Sequence, residues 1–130
     1  MFRQLAREPA MKYTLYCHRI FCFDFEQSIA FYADTLGLPL KSVNDEFGWA
    51  EFSLLGGTLA IERLDPNDED AHSLVGRFLG ISLHVDNLHE TYAELMSKGV
   101  SFQGPPEQQE WGASLAHFKD PDGNIMTLLG

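Results

Sequence analysis

The sequence predicts an α+β fold built from two tandem βαβββ units. Three observations carry that prediction: an element order that is read twice, residue pairs that recur at a near-constant spacing, and a polar run, Asp65-Pro66-Asn67-Asp68-Glu69-Asp70, close to the midpoint. With 130 residues, 45% of them apolar and 12% aromatic, the chain can bury one core but not two independent ones. It is read as a single domain over 11–130, with unit 1 at about 11–64, a linker at about 65–77 and unit 2 at about 78–130. Residues 1–10 are read as a mobile N-terminal extension, because the strand pattern begins at Met11.

Lys12 to Phe23 is rich in aromatic and β-branched residues with no Gly or Pro, which predicts a strand. Asp24 can cap the helix that follows, where Phe25, Ile29, Tyr32, Ala33 and Leu36 fall at helical spacing and Gly37 supplies the stop. Leu40 to Val43, Trp49 to Leu54 and Thr58 to Leu64 are short strands, separated by Asn44 to Gly48 and by Leu55-Gly56-Gly57. The same order then returns: a strand over Phe78 to Val85, a helix over Asn87 to Lys98 with Leu88, Tyr92, Leu95 and Met96 on one face, and strands over Val100 to Gln103, Ala113 to Lys119 and Asn124 to Leu129. Pro105-Pro106 and Asp120-Pro121-Asp122-Gly123 mark the turns between these last three.

Register supports duplication. Asp24/Asn87, Phe25/Leu88, Ile29/Tyr92, Tyr32/Leu95 and Ala33/Met96 are each 63 positions apart, and Trp49/Trp111 are 62 apart. A turn three residues longer in the second half then pairs Ile61 with Met126 and Glu62 with Thr127.

Charge bounds the partners. Nine Lys and Arg stand against 19 Asp and Glu, a formal net charge of -10. A field of that sign repels phosphate backbones and anionic lipid, so neither nucleic acid nor membrane is expected, while cationic or neutral small molecules are favoured. No continuous apolar segment reaches the ~20 residues of a membrane span and the first ten residues lack a signal-peptide core, so the expected location is cytoplasmic. Cys17 and Cys22, five apart on one strand, point to opposite faces and are not expected to pair.

Two stretches carry a family resemblance. Asp24-Phe25-Glu26-Gln27-Ser28-Ile29-Ala30-Phe31-Tyr32 with Leu36-Gly37-Leu38, and Phe118-Lys119-Asp120-Pro121-Asp122-Gly123-Asn124, resemble the first-helix and last-hairpin signatures of the vicinal oxygen chelate superfamily, the glyoxalase, bleomycin-resistance and extradiol dioxygenase group. With Val85-Asp86-Asn87-Leu88 and the repeat, the resemblance spans about residues 12–130. It implies that the strands form a curved mixed sheet, a cup that binds the ligand, with the helices outside, and that the protein is a homodimer.

By the same resemblance, members with a catalytic metal place its ligands at four strand positions, here Cys17, Glu62, Gly80 and Thr127. Only Glu62 is a ready ligand; glycine has no donor and neutral threonine is a poor one. A one-residue slip of the first strand would instead offer His18 beside Glu62 and His84, but it would turn every side chain over and bury Arg19 under the helix layer. In the unslipped register the cup is lined by Cys17, Arg19 and Phe21 from unit 1 and Ser82 and His84 from unit 2, with Glu62, Trp49, Trp111 and His117 at its walls. Arg19 can pair with Glu62 or anchor a ligand. His84 can act as an acid or base together with Glu62, or serve as a hydrogen-bonded wall. Trp49 and Trp111 serve packing or stack on a planar ligand. Both cysteines read as small apolar residues, His18, His72 and His89 as structural or solvated, and Asp120, Asp122 and Gly123 as turn geometry.

The leading expectation is a binder of a small, partly aromatic or cationic molecule with no cofactor. The alternative is an enzyme, a glyoxalase I-like lyase or isomerase or a dioxygenase relative, using a divalent metal (Ni, Zn, Mn or Fe) on Glu62 with His18 or His84.

Overall fold

In a computed structural model, which describes residues 2–8 and 10–130, the chain forms two mixed sheets with helices packed on one face of each. Unit 1 runs β1 (His18–Cys22), α1 (Phe25–Ala30, continued by a π-helical turn over Phe31–Thr35), β2 (Leu40–Asn44), β3 (Trp49–Leu54) and β4 (Gly57–Arg63). A short helix α2 (Ala71–Leu74) precedes unit 2, which runs β5 (Phe78–His84), α3 (Leu88–Ser97), β6 (Ser101–Phe102), β7 (Glu107–Gln108), β8 (Ser114–Lys119) and β9 (Ile125–Leu129). The sheet orders β1-β4-β3-β2 and β5-β9-β8-β6 are the same arrangement twice, with β7 added beside β8. In each, the first strand pairs in parallel with the last and the rest of the sheet is antiparallel. The α+β class and both βαβββ units stand as predicted, and each unit keeps its own hydrogen-bonded ladder, with β1 and β5 as edges.

Both helix starts follow the sequence. Asp24 and Asn87 sit in extended conformation and accept the N–H groups of Gln27 and Glu90. The first helix ends differently from its periodicity: Leu36 N–H donates to the Phe31 carbonyl five residues back, a wider turn that apolar spacing cannot reveal.

The first strand is shorter than predicted. Residues 12–17 carry strand-forming side chains, yet only His18–Cys22 is strand, paired in parallel with Leu59–Arg63 of β4. The polar run Asp65–Asp70 is exposed throughout, and the rest of the linker holds the short helix α2, which starts at the buried Ala71. The expected mobile extension, 1–10, includes Met1 and Pro9, which lie outside the described residues; residues 2–8 and 10 are exposed and in neither helix nor strand. Among the described residues, no helix is long and apolar enough to cross a membrane.

One buried cluster joins the units. Ile20, Phe25, Tyr32, Phe52 and Ile61 of unit 1 pack with Leu88, Leu95, Phe118, Met126 and Leu128 of unit 2. The Phe31 ring sits 6.2 Å from that of Phe118 across the seam. At the heart of the seam lies a polar clamp. Tyr32 donates its hydroxyl to Asp120 at 2.6 Å, and Asn124 donates to the same carboxylate oxygen and to the Phe21 carbonyl, each at 2.9 Å. The other Asp120 oxygen accepts the N–H groups of Asp122 and Asn124, while Asp122 accepts from Phe23 N–H and the Ser28 hydroxyl. The Asp120 to Asn124 turn therefore does more than reverse the chain. It satisfies the outer edge of β1 and the start of α1 from the other unit.

Burial pushes the Asp120 carboxyl above its ordinary value, and hydrogen bonds from Tyr32, Asn124 and Asp122 pull it part of the way back. An acid with a raised value in the folded state binds protons more tightly there than in the unfolded chain. Its contribution to stability falls as pH rises from the ordinary carboxylate range through the folded value. The stability advantage of wild type over Asp120→Asn is expected to widen as pH is lowered through that window, read from urea midpoints. At neutral pH Tyr32→Phe is expected to cost about 1.5–3 kcal/mol, the worth of a buried hydrogen bond to a charged group. Most of that loss should vanish in the Asp120→Asn background of a double-mutant cycle; fully additive losses would show that the two groups do not act together.

Candidate functional site

Each sheet has a face turned away from the core, and strand alternation decides which residues it shows. On β1, Ile20 and Cys22 are completely buried against the helices, so Arg19 and Phe21 point the other way. This is the unslipped register, and His18 goes to the opposite face from Glu62. On β4 and β3, Leu59, Ile61, Ala50 and Phe52 face the core, which leaves Thr58, Ala60, Glu62, Trp49, Glu51 and Ser53 on the opposite face, where Ala60 and Glu51 are themselves covered. Cross-strand pairing sets these in rows: Phe21, Glu62 and Trp49 in one, Arg19, Ala60 and Glu51 in the next.

Arg19 and Glu62 meet as an ion pair, Nη1 to Oε1 at 3.1 Å, and the guanidinium lies over the Phe21 ring at 5.2 Å. The side chains remain 54% and 27% exposed, so in water the pair contributes little to stability and its interest is positional. Cys17 is half-buried near this pair. Burial first, and then the charge of Glu51, pushes its thiol above the ordinary value, with Arg19 opposing the shift, so it stays protonated. Cys22 is pushed up to about 12 by burial and is inert.

On sheet 2, Phe78, Ser82 and His84 are exposed, whereas Leu79, Ile81 and Leu83 of the same strand pack on the core. Ser82, Thr127 and His117 form a row, with His117 Nδ1 2.7 Å from the Thr127 hydroxyl. Phe78 stands edge-on to His117 at 5.8 Å and is 53% exposed. Gly80 lies at a register irregularity of β5 with φ +71°, where any other residue would be strained.

The predicted site residues therefore separate into groups. Cys17, Arg19, Phe21, Trp49 and Glu62 come together on sheet 1, and Ser82, His84 and His117 belong to sheet 2. No hydrogen bond joins His84 to Glu62 among the described residues; His84 and Ser82 instead line a cavity of about 1000 Å³ between the units, with Leu36, Leu38, Leu54 and Leu95. Trp111 does not mirror Trp49: it lies in the turn between β7 and β8, 65% exposed, because the second unit spends its extra residues there. Sequence reasoning missed Phe78, Tyr16, Lys41 and Glu51. Glu51 was legible in principle, two residues from Trp49 on the same strand face.

The donors at the family's metal positions are each compromised. Glu62 is engaged by a guanidinium, the Cys17 thiol is held protonated, Gly80 has no side chain and Thr127 is tied to His117. Among the described residues, no three of His, Cys, Asp and Glu are gathered as a metal ion requires. The set does not fit a divalent ion.

Known proteins resemble this chain over nearly its whole length. "Uncharacterized protein YraH" of Bacillus subtilis is 35% identical over 121 residues, covering 85% of this chain and 92% of its own. The bleomycin resistance protein of Klebsiella pneumoniae is 30% identical over 118 residues, covering 82% and 83%. The crystal structure of TnmS3, an antibiotic binding protein from Streptomyces sp. CB03234, superposes with a TM-score of 0.71 at 26% identity, covering 93% of this chain and 97% of that one. The profile of one superfamily matches residues 12–128, and with the repeated βαβββ unit and these relatives it shows that the chain belongs to the glyoxalase/bleomycin resistance protein/dioxygenase superfamily.

Proposed function

We propose that this protein is a homodimeric, metal-free binder of a small, partly aromatic or cationic molecule, held on the sheet faces turned away from the core and released unchanged. The observation that carries the reading is the Arg19 guanidinium on Glu62. At the one family metal position that keeps a carboxylate, a cation belonging to the chain already occupies one of its oxygens, so a divalent ion would have to displace the guanidinium and would find no second ready ligand beside it.

Three features support a binding role. Phe78 offers half of its surface beside His117, and Trp49 and Phe21 flank the ion pair, so aromatic area and a few fixed polar groups coexist as in small-molecule sites. The net charge of -10 favours a cationic guest. The names of the Klebsiella and Streptomyces relatives, bleomycin resistance protein and antibiotic binding protein, point the same way.

Bleomycin serves as a first probe, followed by tryptophan fluorescence, with mass spectrometry of the recovered compound. Saturable quenching is expected, with the compound unaltered. Phe78→Ala is expected to weaken binding about tenfold or more, since full loss of a phenylalanine contact is worth roughly 1.5–3 kcal/mol and each 1.4 is a factor of ten. Glu62→Ala is expected to change affinity far less. Chemical conversion of the probe that disappears in Glu62→Ala, or no saturable quenching at all, would overturn the reading.

A further inference from the structure

We infer that Glu51 is the residue that selects for positive charge in the ligand, through its Oε1 oxygen, and that the Lys41 ammonium is a placeholder which the ligand's cation displaces. The inference rests on the binding role proposed above and goes further by naming the group recognised and the atom that recognises it.

Glu51 lies in the interior of a sheet face, on β3 between β2 and β4, and its side chain is only 10% exposed. A carboxylate in such a place is costly unless its charge is compensated. Its two oxygens are treated unequally. Oε2 accepts the Trp49 indole N–H at 2.8 Å and the Tyr16 hydroxyl at 2.9 Å. Oε1 has no hydrogen bond from a described residue; its neighbour is Lys41 Nζ at 3.8 Å, an ion pair beyond hydrogen-bonding length. Two neutral donors thus hold the carboxylate ionised and fix its orientation, while lone pairs on the second oxygen stay available.

The surroundings are shaped for an occupant. Directly across from Glu51 on β4 is Ala60, which sets Glu51 and Arg19 on one row with only a methyl group between them. Trp49, pinned by its bond to Glu51, supplies an aromatic wall on the adjacent row. Lys41 reaches this face only because β2 is irregular. Leu40 pairs with Phe52 and Ser42 with Glu51, so Lys41 is the extra residue of a bulge, a device that re-aims one side chain. Its side chain is 58% exposed and can swing into solvent when another cation takes Oε1. A flat ligand bearing an amine or amidine would stack on Trp49 and donate to Oε1.

The test uses two dyes on the full chain: proflavine, a planar tricyclic cation at neutral pH, and acridine, its uncharged parent, each followed by fluorescence polarisation. Wild type should bind proflavine more tightly than acridine. Glu51→Gln keeps an acceptor for Trp49 and Tyr16 but loses the charge; it should weaken proflavine about ten- to a hundredfold and leave acridine within about twofold. Lys41→Met, on the exposed edge, should tighten proflavine several-fold, and this variant decides the matter if Glu51→Gln does not fold. Equal effects of Glu51→Gln on both dyes, or an unchanged proflavine affinity in Lys41→Met, would overturn the role of Glu51 while leaving the binding role intact. Failure of wild type to bind either dye would remove both.

Discussion

The clamp built on Asp120 organises the molecule. Four donors converge on its buried carboxylate, two from backbone of its own turn and two from the Tyr32 and Asn124 side chains. Tyr32 belongs to unit 1, so the same carboxylate terminates a hairpin and ties two duplicated halves together. Asn124 and Asp122 extend the tie to the Phe21 carbonyl and the Phe23 N–H on the outer edge of β1. An edge strand held on one side by β4 and on the other by a foreign hairpin has little freedom to slip.

That constraint reaches the chemistry. With β1 fixed, Ile20 and Cys22 enter the core and Arg19 must emerge beside Glu62. The guanidinium and the carboxylate neutralise each other over the Phe21 ring, where a metal enzyme of this superfamily would concentrate negative charge on an ion. The remaining carboxylate of the face, Glu51, has its charge maintained by a tryptophan and a tyrosine, whose hydrogen bonds lower its protonation equilibrium below the ordinary range. Sheet 1 thus carries one quenched and one active carboxylate, a few strand positions apart.

Much of this was legible in the residues. Helix caps at Asp24 and Asn87, the repeat of the βαβββ order and the outward orientation of Arg19 follow from local chemistry and from the cost of burying an unpaired charge. What escaped was non-local. The clamp depends on Tyr32 and Asn124 converging on one oxygen of Asp120 across 92 positions of sequence. Lys41 is aimed by a bulge that no period-two pattern reveals, and the pairing of Trp49 with Trp111 by spacing alone placed on one wall a residue that the longer turn carries into solvent. His84 lies on sheet 2 and Glu62 on sheet 1, and alternation along a strand fixes a face of its own sheet but not which residues of the other sheet lie nearby.

A guanidinium stands at the carboxylate where a metal enzyme of this superfamily would keep its ion. The most direct measurement is anomalous diffraction at the nickel edge from crystals grown with excess Ni²⁺. Arg19 on Glu62, with no anomalous peak at that carboxylate, is the expected result. A nickel ion bound to Glu62, with Arg19 turned away, would contradict it.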